Sequence, residues 1–170
     1  MIILGIDPGT KSIGYALLDC ANPIEPRILE ARLLPITSTA PGDRLMDVHR
    51  EIKKIIEQWH PRAASIEKLF FAKNAKTAMA VSEARGVILL TAMLARITVY
   101  EYTPLTIKKV VTGDGSADKT QVQKMVRLIL KETSSLVSQD DVFDPIASAL
   151  CCLYQEGGSI PQIASNRPTA

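Results

Sequence analysis

The chain predicts an α/β domain built on a mixed five-stranded sheet flanked by helices, and three observations carry that expectation. Three β-rich runs open the sequence at close spacing, and two more follow singly. Each of those two leads into a segment whose apolar residues are compatible with a helix. Hairpin-linked strands followed by strand and helix alternation give antiparallel pairing first and parallel pairing later. With 170 residues, 46% of them hydrophobic, the chain is long enough to bury one core. One domain is expected over residues 1–156, followed by a flexible C-terminal tail over residues 157–170, rich in Ser, Pro and Ala.

Residues 2–6 and 13–18 are β-rich, and Pro8-Gly9-Thr10-Lys11-Ser12 between them reads as the turn of an antiparallel pair. A third strand is expected over residues 28–35. From 44 to 59, Leu45, Val48, Ile52, Ile55, Ile56 and Trp59 recur at helical spacing, and His60-Pro61 ends that amphipathic helix. Trp59 closes its apolar face, and His49 sits on its surface. Residues 63–66 form a short buried strand that runs directly into Glu67. The Ala-rich segment 76–94 predicts a long helix with small residues at Ala78, Ser82 and Gly86, a spacing that lets another backbone approach closely, from the sheet or from a second subunit. A fifth strand over 97–102 and a short helix over 105–111 follow. The Gly113-Asp114-Gly115 loop then delivers Ser116 as N-cap to a helix over 118–131. A last helix over 145–155 stops at Gly157-Gly158.

Composition excludes several classes. The apolar run 86–95 is about half a bilayer span, no stretch reaches the ~18 residues a spanning helix needs, and no secretion signal precedes the first strand, so a cytoplasmic protein is expected. Cys20, Cys151 and Cys152 are odd in number and two are adjacent, which suits neither a disulfide framework nor a CxxC metal site. The net charge of +2 is small but unevenly placed. Lys108, Lys109, Lys119, Lys124, Arg127 and Lys131 cluster near only two aspartates, Asp114 and Asp118. Phosphate binding and a solvated helix face both account for that cluster.

Four acidic residues stand where acids are costly. Asp7 ends the apolar run of the first strand, Glu67 ends the fourth, and Asp141 and Asp144 lie just before the apolar run of the last helix. An ionised carboxylate buried at a strand end costs several kcal/mol unless a cation or a donor satisfies it. Hard divalent cations such as Mg²⁺ prefer carboxylate oxygens, and two such ions activate water and stabilise a leaving oxygen in phosphodiester hydrolysis. The set therefore points to a metal-dependent nuclease with raised carboxyl pKa values in the metal-free state. Each acid also has a plainer role open to it: Asp7 in a Pro-Gly turn, Glu67 in a surface pair with Lys68, Asp141 and Asp144 as helix-capping carboxylates.

A series of motifs then resembles a known family. Ile6-Asp7-Pro8-Gly9-Thr10 with Gly14-Tyr15 comes first, then the segment from Ile66-Glu67 through Phe70-Phe71 to Lys73-Asn74. Ala84-Arg85-Gly86-Val87, Glu101-Tyr102 and the segment from Gly115 to Gln123 follow in order. The chain in this respect resembles the RuvC family of bacterial Holliday-junction resolvases, from Ile2 to about Tyr154. The resemblance implies an RNase H-like fold, a homodimer, Mg²⁺ dependence with Mn²⁺ as a substitute, and paired symmetric nicks in a four-way DNA junction. It places the catalytic carboxylates on Asp7, Glu67, Asp141 and Asp144, the aromatic at the junction centre on Phe70, and functional lysines on Lys108 and Lys119. Its partners are the branch-migration proteins RuvA and RuvB. Asp140 competes with Asp141 for one ligand position, and Pro145 stands where the family usually has Ala. With Pro145 at the first helical position, Asp144 becomes the N-cap.

On this reading Lys119, near a helix N-terminus, stabilises charge on the transferring phosphate. Phe70 stacks on an unpaired base while Phe71 packs, and Lys73, Lys76, Lys108 and Lys124 contact DNA. Arg85 either extends that basic surface or serves the fold. Two rivals remain: an RNase H-like nuclease acting on structured RNA, and an actin-like or sugar-kinase type phosphotransferase, whose phosphate loop also carries an Asp-x-Gly-Thr turn. The latter fold needs two such domains, and this chain has room for one.

Overall fold

The computed structural model describes residues 1–9, 12–68, 75–131 and 140–158. Five strands, β1 (Ile2–Asp7), β2 (Gly14–Asp19), β3 (Arg27–Leu33), β4 (Ala63–Glu67) and β5 (Thr98–Tyr102), form one sheet in the order β3-β2-β1-β4-β5. The first three pair antiparallel, whereas β4 pairs parallel with both β1 and β5, giving the expected mixed sheet. The helices are α1 (Pro41–Trp59), α2 (Ala75–Leu94), α3 (Pro104–Thr112), α4 (Lys119–Ile129) and α5 (Phe143–Glu156).

Side-chain alternation along the strands feeds two separate cores. On one face Leu4, Ile6, Leu17, Ala64 and Ile66 meet Val48, Ile52 and Ile56 of α1 and Ile88 of α2. On the other, Ile3, Ala16, Leu18 and Ala63 meet Ile107 and Val111 of α3, Val122 and Val126 of α4, and the almost wholly buried α5. Because Ile3 and Ala63 belong to the second face, so do the residues two and four positions further along each strand. Asp7 and Glu67 therefore end their strands on the α5 side.

Several boundaries differ from expectation for physical reasons. Helix α1 starts at Pro41, whose missing N–H costs nothing in a first turn, and ends on His60 in the left-handed conformation. Strand β3 stops at Leu33, since the Leu34 amide turns away to the Ile13 carbonyl. The N-cap of α4 is Asp118 rather than Ser116: Asp118 and Gln121 form a reciprocal capping box. Ser116 is occupied instead, donating both its amide and its hydroxyl to Asp114. Helix α5 begins at Phe143 behind a single 3₁₀ turn, Asp140–Val142, so Asp144 lies inside the first helical turn and is not the cap. Arg85 pairs with Glu101 of β5 and so ties α2 to the sheet edge. Trp59 is half-buried against the α1 core, and His49 hydrogen bonds Thr91 of α2 at 2.8 Å from the surface of α1. Most of the expected C-terminal tail lies outside the described residues.

Candidate active site

The site is built at the carboxyl ends of two neighbouring parallel strands. Ile6 of β1 is in register with Ile66 of β4, so Asp7 and Glu67, the next residues, leave the sheet side by side although 60 positions separate them. The β1 strand ends at Asp7 because Pro8 cannot donate to a ladder and Gly9 turns the chain, its amide bonding the Asp7 carbonyl at 2.9 Å.

Two glycines let α5 bring a third carboxylate to the same place. A Cβ on Gly5 would sit 2.0 Å from the Pro145 carbonyl oxygen and 2.9 Å from the Ala149 Cβ. One on Gly14 would lie 3.0 Å from the Asp141 carbonyl oxygen. Only strands bare at these points let the first turn of α5 rest on the sheet backbone, and that close seat lowers Asp144 toward Asp7. The helix dipole favours a carboxylate in this first turn. Asp141 behaves differently: it sits in the exposed 3₁₀ turn, and its Oδ1 accepts from Lys119 Nζ at 3.4 Å.

Opposite the acids stand two lysines. Thr103 caps α3, its hydroxyl accepting from the Thr106 amide, and Pro104 opens the helix that carries Lys108. Lys119 is the first residue of α4, where a cation opposes the helix dipole at a cost of roughly 0.3–1 kcal/mol. Such a placement is unfavourable locally and is offset by the carboxylates it faces. Asp7, Glu67, Asp144, Lys108 and Lys119 together line a cleft of about 250 Å³ whose apolar wall is Ile107, Val122 and Ala147.

Burial dominates the electrostatics. It is the largest cause that raises Asp7 from an ordinary 3.8 to about 6, with Asp144 and Asp141 adding to it and Lys119 opposing. It likewise raises Glu67 from 4.5 to about 8, with Asp7 and Asp144 adding and Lys108 opposing. Asp144 is also raised by burial, against the pull of Lys119. The raised values match the sequence expectation, but their first cause is desolvation and mutual repulsion comes second.

An all-oxygen donor set, largely desolvated, suits a hard divalent cation. Among the described residues no three His, Cys, Asp or Glu side chains converge tightly enough to enclose one ion. The acids line a shared cleft as a set of ligands that a cation would draw inward, and Asp141 is the one turned away to Lys119.

Of the other candidate residues, Lys124 is exposed on α4 outside the cleft. Phe70, Phe71 and Lys73 lie outside the described residues, as do the side chains of Lys76 and Asp140. Gly5 and Gly14 went unremarked as site builders in the sequence. A glycine inside a β-rich run is nevertheless a signal for close backbone approach.

Comparison with known proteins bears on most of the chain. The family model described as crossover junction endodeoxyribonuclease RuvC matches residues 3–152. A crossover junction endodeoxyribonuclease RuvC from Caldicellulosiruptor saccharolyticus is 42% identical over 164 residues, covering 92% of this chain and 98% of that protein. One from Finegoldia magna is 44% identical over 155 residues, covering 91% and 93%. Among solved structures, Thermus thermophilus RuvC superposes with a TM-score of 0.82 at 27% identity, covering 94% of this chain and 98% of that one. The same protein in complex with a Holliday junction substrate gives 0.83 at 28% identity, covering 93% and 96%. The RNase H-like fold implied by the sequence motifs is the fold of these neighbours.

Proposed function

This chain belongs to the RuvC family of crossover junction endodeoxyribonucleases, and from that premise we propose that it resolves four-way DNA junctions by paired symmetric nicks. The observation that carries the reading is the cleft itself: three carboxylates from three separate elements face two lysines across an opening of about 250 Å³. That is the charge pattern for a metal-assisted attack on a phosphodiester, with acids for cations and cations for phosphate oxygens.

Asp7, Glu67 and Asp144, joined by Asp141 from the adjoining turn, are the residues to hold Mg²⁺, two ions per site, with Mn²⁺ as a substitute. When bound there, the ions supply water activation and neutralise charge on the leaving oxygen, leaving 5′-phosphate and 3′-hydroxyl ends. The protein's own contribution is positional. Lys119 and Lys108 bind the non-bridging oxygens of the phosphate and compensate the charge that grows on it. Ile107, Val122 and Ala147 keep bulk water from one side, which strengthens each of these attractions. Asp141 would give up its Lys119 contact on joining the ligand set, leaving that lysine to the phosphate. Phe70 stacks at the junction centre, and Lys73, Lys76 and Lys124 contact the flanking backbone, so binding rests on DNA shape and weakens with salt.

A homodimer completes the reading. Helix α2 exposes Met79, Leu90, Met93 and Leu94, an apolar face that a second copy covers. Two-fold symmetry then presents two equivalent clefts to a substrate of matching pseudo-symmetry. No helix among the described residues is long and apolar enough to cross a membrane. Action in the cytoplasm beside RuvA and RuvB accords with that.

The deciding experiment is digestion of an immobile four-way junction, with linear duplex and a structured RNA as competitors. Symmetric nicks that require Mg²⁺ or Mn²⁺ support the proposal. Cleavage of the RNA with the junction left intact overturns it in favour of an RNA-directed nuclease of the same fold.

A further inference from the structure

Ser65 and Ser148 are each 0% exposed and lie 83 positions apart, yet they meet at the centre of the α5 face. The Ser65 Oγ donates to the Ser148 carbonyl oxygen at 2.7 Å and lies 2.7 Å from the Ser148 Oγ. One hydroxyl proton serves each contact: Ser65 to the carbonyl, Ser148 back to Ser65. Nothing else about the location calls for polar side chains, since the neighbours Ala63, Ala147, Ala149 and Ile146 are apolar and buried.

The position of the pair is what gives it meaning. Ser65 is two residues before Glu67 on the same face of β4, and it is in register with Gly5, the bare point on which α5 rests. Ser148 is one helical turn after Asp144 on the same face of α5. The glycine lets the helix approach, but apolar contact alone leaves it free to slide along the strands. A directional bond at this point fixes the axial register of α5 against β4, and with it the offset between the Asp144 and Glu67 carboxylates one step further on.

We propose that Ser65 and Ser148 are positioning residues that set the spacing of the Glu67 and Asp144 carboxylates for divalent-cation binding, an inference that rests on the proposed function of the same cleft. An unpaired buried hydroxyl is destabilising, whereas exchanging both partners for apolar groups of similar shape is close to neutral. Stability and alignment are thereby separable: Ser65→Ala with Ser148→Ala keeps the fold and loses the register.

The test compares the double variant and both single variants with the parent chain, by thermal unfolding, by Mn²⁺ titration of the DNA-free protein followed through its melting temperature, and by junction cleavage. For the double variant the melting temperature without metal stays near the parent's. The Mn²⁺ midpoint rises and kcat falls, each by about tenfold, while KM for the junction is unchanged, as expected when ligand support is lost. Ser65→Ala, which removes both contacts, matches the double variant in Mn²⁺ midpoint and kcat but melts lower, because it leaves the Ser148 hydroxyl unpaired. Ser148→Ala keeps the bond to the backbone carbonyl and stays within about threefold of the parent, a smaller loss consistent with partial support.

An unchanged Mn²⁺ midpoint in the double variant, or Ser148→Ala as damaging as Ser65→Ala, overturns the inference. If the double variant does not fold, the ordering of the two single variants decides the matter in the same way. A parent chain that binds Mn²⁺ but cuts no junction overturns the proposed function instead, and the shift in midpoint still supports the positioning role.

Discussion

The two faces of one sheet are built to opposite rules. Toward α1 and α2 the strands present Leu4, Ile6, Leu17 and Ile66, which meet Ile52, Ile56 and Ile88 in a dry aliphatic layer. Toward α5 the same strands present Ile3, then Gly5 and Asp7, and Ala63, then Ser65 and Glu67. Each strand thus changes along its α5 face from packing, through close approach, to chemistry within five residues. The first face supplies stability, and the second uses part of it to bury acids.

Substitutions on the two faces should therefore fail differently. The largest effect is expected for Asp7→Asn, which keeps the shape of the cleft and removes one charge: cleavage falls to background while gel-shift binding to a junction persists. Cleavage at the parent rate in that variant would remove Asp7 from the metal site. Next comes Lys119→Ala, for which single-turnover kinetics should show a loss of about 10²–10³ in rate with the fold intact, the usual scale for removing an electrostatic stabiliser. A loss below threefold would reduce Lys119 to a partner of Asp141.

On the opposite face Ile52→Ala should cost about 2–5 kcal/mol in urea unfolding, because it opens a cavity among fully buried neighbours. The activity of the molecules that remain folded should be unchanged, and a fall in their kcat would show that the two faces are coupled.

The smallest expected effect is a dependence on pH. Asp7 and Glu67 ionise near 3.8 and 4.5 when unexposed to the fold's influence, but near 6 and 8 within it, so the folded protein holds these protons more tightly than the unfolded chain. Their contribution to stability is complete below about pH 4 and is lost as pH rises through 6 and then 8. Glu67→Gln cannot ionise. Its metal-free stability relative to the parent should improve steadily as pH rises from 5 to 9. A difference that does not change with pH would mean that Glu67 is well solvated in the metal-free protein.

Much of this division was legible in the sequence. The order and type of the five strands and five helices among the described residues followed from β-rich runs, turn residues and helical periodicity, and Asp7 and Glu67 stood out because each ends an apolar run. The motifs shared with the RuvC family covered the same span that the family model matches. What escaped depended on competition between neighbouring caps and turns, and on one pairing between distant strands. Whether Asp118 or Ser116 caps α4 was settled by Asp114 engaging Ser116 first. Asp144 entered the helix because a 3₁₀ turn precedes Phe143, a choice that local propensity does not dictate. Ser65 and Gly5 read separately as ordinary small residues. Only the parallel register between β1 and β4 makes them neighbours.

That register also orders events during synthesis. The β1-β2-β3 meander can close from local contacts as soon as it leaves the ribosome, whereas β4 must wait for some thirty further residues, an α1 crossover included. Helix α5 is the latest described element to emerge, and it carries the third cleft carboxylate together with most of the core on its face. A nascent chain short of that segment holds two acids and half a scaffold. On the proposed function, the cleft would stay incomplete until α5 docks on the sheet and brings Asp144 to it.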